Sequence, residues 1–113
     1  MNITTNQPTF TSGKLIFVKN NRKYSDENMF PKEIISQLEQ AKKAIAKEKY
    51  DLFIIQDKYL PGYYEFNANT SLYNAITNRT QQRTFVEESI LESSFLDAVK
   101  TAIENFKNII RKK

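Results

Sequence analysis

The chain changes from a helical to a strand pattern within the stretch AKKAIAKEKYDLFIIQD, residues 41–57. Its first part places apolar residues at helical spacing with lysines on the other side, which predicts an amphipathic helix. Its second part is a continuous apolar run bounded by Asp51 and Asp57, which is typical of a strand buried on both faces. A helix therefore leads almost directly into a central strand.

A similar apolar run lies upstream at LIFV, residues 15–18, where Asn20 and Asn21 end it as a turn. Between the two runs, Pro31 predicts the start of a helix that extends to about Lys49, because proline at the first helical position loses no needed hydrogen-bond donor. The order strand, helix, strand predicts a right-handed parallel crossover.

The middle of the chain is less regular. The turn at residues 60–62 reverses the chain into a predicted antiparallel strand at residues 63–66. Residues 67–83 are polar and suit a strand, a short helix or a loop. Residues 84–88 predict one more strand, although their end also suits a helix.

The last segment predicts an amphipathic helix that starts at Ser94, since Ser94 and Asp97 have the spacing of a capping box. Its basic end suits the helix dipole. Its apolar face is wide for a small domain, so we interpret it as core or as a surface for self-association. The candidate interaction residues on this face are Phe95, Val99, Phe106 and Ile110.

Together these elements predict an α+β fold. We expect a mixed sheet of four to five strands in the order β-α-β-β-β-α, with two amphipathic helices packed on it. The length of 113 residues suits one domain, residues 13–113, behind a flexible N-terminal arm at residues 1–12. No signal-peptide core or membrane-length apolar run is present, which predicts a cytoplasmic protein. The many Asn, Lys and Ile residues are typical of a low-GC bacterium or a mobile element.

The absent residue types exclude most catalytic designs. The sequence has no Cys and no His, which removes thiolate nucleophiles, imidazole bases and metal sites built from either residue. With only two glycines, a Gly-rich phosphate loop is excluded as well. We therefore expect no cofactor and no metal ion, and we favour a protein that is not an enzyme.

One short segment resembles a nuclease motif. Gln56-Asp57-Lys58 is similar to the Gln-x-Lys form of the strand motif in the PD-(D/E)xK nuclease superfamily, which implies a lysine that polarises the scissile phosphate beside Mg²⁺. In that superfamily the metal-binding Asp lies on the preceding strand. Here a helix precedes, so Asp26 or Asp51 would have to replace it. A strand that simply ends in polar residues explains the segment equally well.

Aromatic and cationic residues interleave in the second half of the chain. Such a pattern suits base stacking and phosphate contacts, but strand aromatics also commonly fill a core. The net charge of +4 and the Lys-rich helices are compatible with a polyanion, and equally with solvated helix faces. The candidate ligand-binding or nucleic-acid-binding residues are Lys58, Tyr63, Tyr64, Arg79 and Arg83.

These observations favour a small non-catalytic binding or interaction protein, with itself as a homo-oligomer or another protein as its partner. The alternative is a nucleic-acid-binding module that uses the Lys-rich helices and the aromatic and Arg surface. A third hypothesis is a metal-dependent nuclease that uses Asp57 and Lys58. We expect no membrane partner.

Overall fold

The structure is a computed structural model that describes residues 13–77 and 83–111, with the side chains of residues 13–77 and 83–109. The predicted N-terminal arm, residues 1–12, and Arg79 lie outside the described residues, as does the side chain of Ile110. All other predicted site residues are described.

In the part of the chain that the structure describes, a five-stranded mixed sheet forms the centre of the fold. The strands are β1 (Leu15–Lys19), β2 (Arg22–Tyr24), β3 (Asp51–Gln56), β4 (Tyr63–Asn69) and β5 (Thr84–Glu87). Their spatial order is β2-β1-β3-β4-β5, in which β1 and β3 are parallel and the other neighbours are antiparallel. The predicted α+β fold, its mixed sheet and its parallel crossover are confirmed.

Within the described residues, three α-helices accompany the sheet: α1 (Leu38–Ile45), α2 (Leu72–Thr77) and α3 (Leu91–Arg111). The first predicted helix starts one residue after Pro31 as a 3₁₀ segment, Lys32–Gln37, and becomes α-helical at Leu38. It ends at Ile45 rather than near Lys49. Residues 46–50 are turns and bends that return the chain to the sheet before β3 begins.

The predicted start of the last helix at Ser94 is wrong. The helix α3 begins at Leu91, and the 3₁₀ turn Glu88–Ile90 leads into it directly from β5. Leu91 is fully buried in the main core. Burial of the first turn therefore sets the start of α3, and the capping-box pattern at Ser94 lies inside the helix.

The hairpin between β1 and β2 was not predicted. Asn20 and Asn21 both have positive φ angles, 54° and 63°, as a two-residue type I′ turn requires. The turn pairs Phe17 with Tyr24 across the two strands. The short strand β2 was not predicted because its sequence, RKY, lacks the apolar pattern of a buried strand.

The two faces of the sheet differ in what covers them. Helices α1 and α3 pack on the face that we call the helix face, and α2 packs on the opposite face, which we call the cleft face. The helix face of the sheet carries Leu15, Phe17, Leu52, Ile54, Tyr64, Phe66, Ala68 and Val86. The cleft face has a smaller apolar cluster from the strands and α2, made of Ile16, Val18, Phe53, Ile55, Leu72 and Ala75.

The apolar side of α3 lies inside the core of this chain. Phe95, Val99 and Phe106 are all buried there. The Phe95 ring meets Phe66 of the sheet edge-on at a centroid distance of 5.6 Å, and Phe106 lies 4.3 Å from the Tyr50 ring. The sheet and neighbouring residues therefore account for the width of this face, and these three side chains are not on the surface.

None of the helices in the described part of the chain combines the length and the apolar character that a bilayer crossing requires.

Candidate functional site

A cleft of about 290 Å³ opens on the cleft face, where the parallel strands β1 and β3 end. The carboxyl ends of parallel strands are a common place for ligand sites, because the chain leaves the sheet there and opens a crevice. Ile55, Ile76 and the Tyr59 ring supply its apolar part. Its main polar lining is Asn21, Gln56, Asp57, Lys58, Glu65 and Arg83.

A tight turn after β3 forms one wall of the cleft. The Asp57 carboxylate accepts backbone N–H groups from Tyr59 at 2.7 Å and from Leu60 at 2.9 Å. Gly62 closes the turn with a φ of 84°, which favours glycine. Because Asp57 is used by its own turn, Lys58 and Tyr59 project from a well-supported loop, and Tyr59 is 88% exposed.

A buried carboxylate belongs to the lining of the cleft. Glu65 of β4 is only 4% exposed. Its side chain accepts a hydrogen bond from Asn67 Nδ2 at 2.8 Å and pairs with Arg83 Nη1 at 3.4 Å. Arg83 Nη2 also donates to the Ile76 carbonyl at 3.3 Å, and Asn67 donates to the Ala75 carbonyl at 3.2 Å. These contacts tie β4, α2 and the start of β5 together around the cleft.

Burial raises the pKa of Glu65 above its ordinary value. The hydrogen bond from Asn67 and the positive charge of Arg83 oppose this rise in pKa, whereas the negative charge of Asp57 adds to it. The balance leaves the pKa raised, because removing a carboxylate from water disfavours its charged form. Protonation of Glu65 therefore makes the cleft more positive.

Several cations at the same end of the sheet have no acidic partner in the part of the chain that the structure describes. None of Lys19, Arg22, Lys23 and Lys58 forms an ion pair with the residues that the structure describes. Lys23 lies opposite Val18, which belongs to the cleft face. On the helices, Lys42 of α1 pairs with Glu27 and Glu39, and Lys107 of α3 lies 3.0 Å from Glu48, whereas Lys43 and Lys100 form no ion pair with the described residues. Lysines without an ion pair are therefore not confined to this end of the sheet, but Lys58 is the one that lines the cleft.

The predicted binding residues separate into two groups. Lys58 and Arg83 line the same cleft, although they are far apart in the chain. Tyr63 is partly buried and lies on the cleft face but does not line the cleft, while Tyr64 is buried in the main core on the helix face. Successive strand residues point to opposite faces, so Tyr63 and Tyr64 do not share a site.

Glu65 and Asn67 were not predicted as site residues from the sequence. A signal was present, because Glu65, Asn67 and Asn69 alternate with apolar residues along β4. Such alternation is usually interpreted as a polar face in contact with water. Here all three polar residues are buried. Asn67 bonds to Ala75 of α2 and Glu65 pairs with Arg83, and the alternation does not predict the positions of these partners.

The acidic residues do not assemble in the way that the nuclease resemblance implies. Asp26 accepts the Asn28 N–H in its own turn, and Asp51 accepts the Lys14 N–H at the opposite end of β3 from Lys58. Among the described residues, no group of three or more acidic side chains is placed to hold a metal ion. Asp26 and Asp51 therefore do not join Lys58 at the cleft, where the described carboxylates of the lining are Asp57 and Glu65.

Comparison of the chain with family models, curated proteins and solved structures finds no match. The geometry of the cleft therefore carries the functional argument.

Proposed function

We propose that the protein is a non-catalytic binding protein, and that the cleft at the ends of β1 and β3 binds a small ligand with an anionic group. The observation that carries this proposal is the convergence of Arg83 and Lys58 on one cleft of about 290 Å³, in which Lys58 has no ion-pair partner among the described residues. This volume is close to the lower end of the range for small-molecule sites.

The two cations have complementary roles in this proposal. Arg83 is held by Glu65 and by the Ile76 carbonyl, so its guanidinium is oriented before a ligand arrives. A preoriented planar donor loses little side-chain entropy on binding. Lys58 forms no ion pair with the described residues, so its ammonium group is available to the anionic group of a ligand. Ile55, Ile76 and Tyr59 provide apolar surface for the body of the ligand.

The state of the two carboxylates favours binding over turnover. Asp57 already accepts two backbone N–H groups, and Glu65 already accepts from Asn67 while it faces Arg83. A general base needs a carboxylate oxygen within reach of a substrate proton. Both carboxylates instead support the walls of the cleft, which suits a preformed binding site.

An NMR titration of the full chain tests the proposal, with inorganic phosphate, pyrophosphate and AMP as separate probes. We expect amide shifts of residues 55–59, 65 and 83 with at least one probe. Lys58→Ala is expected to weaken that binding by about tenfold, the loss of one charge-assisted contact. The matched control is Lys43→Ala on the exposed side of α1. Equal affinities of the two variants, or no shift at the cleft with any probe, would contradict the proposal.

A second candidate function is the binding of single-stranded nucleic acid. The specific observation is that Lys19, Arg22 and Lys58, which form no ion pair within the described ranges, lie at the same end of the sheet as a Tyr59 ring that is 88% exposed. An exposed aromatic ring stacks on bases while lysines contact phosphates. This candidate predicts binding of a fluorescent oligothymidylate that weakens steeply with salt. Tyr59→Ala should reduce that binding, whereas Tyr73→Ala on α2 should not. A salt-independent signal, or none at low salt, would remove this candidate.

A further inference from the structure

We propose that β5 is the interface of a two-fold symmetric homodimer, in which the β5 strands of two copies pair antiparallel around Phe85. The pairing joins two five-stranded sheets into one continuous sheet. The inference concerns the edge of the sheet and goes beyond the ligand proposed for the cleft, although Arg83 takes part in both.

The outer edge of β5 offers backbone hydrogen-bonding groups. Within the described chain, β5 is an edge strand with β4 as its neighbour. The Glu88 N–H donates to the Gly62 carbonyl just beyond the paired residues. Because hydrogen-bonded pairs alternate along an antiparallel ladder, Val86 also bonds toward β4. Phe85 and Glu87 therefore direct their N–H and C=O groups away from β4, toward a second strand.

The sequence of this edge is complementary to itself. In residues 83–87, RTFVE, pairing centred on Phe85 places Phe85 opposite Phe85 of the partner subunit. The same register places Arg83, which directly precedes β5 and also pairs with Glu65 of its own chain, opposite Glu87 of the partner subunit at two symmetric positions. These side chains share the cleft face, since Phe85 pairs with Glu65 and Glu87 with Tyr63 across β4. Opposite charges and paired aromatic rings both favour cross-strand association.

Other registers lose these contacts. A shift that places Glu87 opposite Phe85 of the partner subunit removes both the charge pairs and the aromatic pair. A further shift places Glu87 opposite its own copy, which is repulsive. A shift by a single residue would turn the side chains to the wrong faces. The charge pattern therefore selects the register centred on Phe85.

The two edges of the sheet differ in their protection against pairing. At the opposite edge, β2 carries Arg22 and Lys23, and edge strands that stay unpaired are commonly protected by such charges. At the centre of β5, by contrast, Phe85 is 42% exposed and Val86 is its uncharged neighbour. The edge without this protection is therefore β5, where the charges of Arg83 and Glu87 are complementary between two copies.

Light scattering coupled to size-exclusion chromatography of the full chain tests the dimer. We expect the unmodified chain to elute as a dimer at micromolar concentration. Glu87→Lys places like charges opposite Arg83 at two symmetric positions, which should weaken the dimer by roughly tenfold or more. Glu88→Lys is the matched control, since it makes the same charge change one residue outside β5. A monomeric unmodified chain, or equal dimer stability in both variants, would overturn the proposal.

Cross-linking tests the register separately. The chain has no cysteine, so Phe85→Cys introduces a single thiol. In the proposed register this thiol faces its own copy, at a strand separation of roughly 5.5 Å between Cα atoms that a disulfide can span. Oxidation with copper–phenanthroline should yield a covalent dimer. Tyr73→Cys on α2, 73% exposed in the structure, should remain largely monomeric. Equal cross-linking of the two variants would overturn the register.

Discussion

The two faces of the sheet use the same strands in different ways. On the helix face, α1 and α3 cover apolar side chains, and aromatic pairs such as Phe66 with Phe95 fill the space between layers. On the cleft face, the short helix α2 covers a smaller apolar cluster, and the buried surface continues into Glu65 and Asn67. Burial alone therefore does not distinguish the residues of the apolar core from those of the candidate site in this protein.

The difference has an energetic consequence. Apolar burial on the helix face is stabilising in rough proportion to the area removed from water. Buried polar groups on the cleft face are tolerated only because each finds a partner, as Glu65 does with Asn67 and Arg83. The helix face should therefore respond to lost volume, and the cleft face to lost hydrogen-bond partners.

The largest expected effect is on the helix face. Phe95→Ala should lower the free energy of unfolding by about 3–5 kcal/mol, because it leaves a cavity beside Phe66 and Val99. Urea denaturation followed by circular dichroism measures the change. Tyr73→Ala on α2 is the control and should cost less than about 1 kcal/mol. Similar losses of unfolding free energy in both variants would contradict the expected sensitivity of the helix face to lost volume.

Asn67→Ala should have the next largest effect. The substitution removes the donor to Glu65 and to the Ala75 carbonyl, so it should cost about 2 kcal/mol through unsatisfied buried groups. The matched control, Asn74→Ala on the exposed part of α2, removes a surface hydrogen bond to Thr70 and should cost little. If Asn67→Ala lowered the free energy of unfolding no more than its control, the stability of the cleft face would not depend on hydrogen bonds to its buried polar groups.

The pH dependence of stability should distinguish Glu65 from other carboxylates. Its folded-state pKa is raised by burial, so its contribution to stability is fully present below the unfolded pKa, near 4.5, and is lost as pH rises through the folded pKa. Glu65→Gln does not titrate at this position. The unfolding free energy of the unmodified chain relative to this variant should therefore decrease as pH rises from about 4.5. An increase over that range would reverse the assigned direction of the pKa shift.

The smallest expected effect on stability is at the rim of the cleft. Lys58→Ala should change the free energy of unfolding by less than about 0.5 kcal/mol, because Lys58 is exposed and forms no ion pair with the described residues. Urea denaturation measures this change alongside the binding titration. A large loss of stability would mean that Lys58 supports the fold, which would contradict its assignment as a residue that contributes to ligand binding alone.

Local patterns predicted the elements whose residues act within one segment. The runs LIFV and LFII became parallel β1 and β3, and the turn at residues 60–62 led into β4 as expected. Prediction failed where packing against residues far away in the sequence, and not the local pattern, determined where an element starts. Leu91, packed in the core, starts α3 ahead of the capping pattern at Ser94, and the hairpin turn at Asn20 and Asn21 forms β2 without an apolar run.

The candidate site was predicted only in part. Lys58 and Arg83 were named for their charge, and both line the cleft. Tyr64 was grouped with them because it is adjacent in sequence, but strand alternation turns it into the core on the other face. Glu65 was not named, because an acidic residue in an alternating strand normally indicates contact with water.

The order of residues is enough to specify the class of fold and the chemistry that this chain lacks, because strand runs, helical spacing and the absence of Cys and His are local or compositional properties. The cleft, by contrast, is formed only in the tertiary structure. Asn21, Lys58, Glu65 and Arg83 belong to different segments, and they meet because parallel β1 and β3 end at the same edge while β4 and α2 bury Glu65 beside Arg83. A raised pKa and a preoriented guanidinium arise from that convergence, since both depend on the distance between segments and on the exclusion of water.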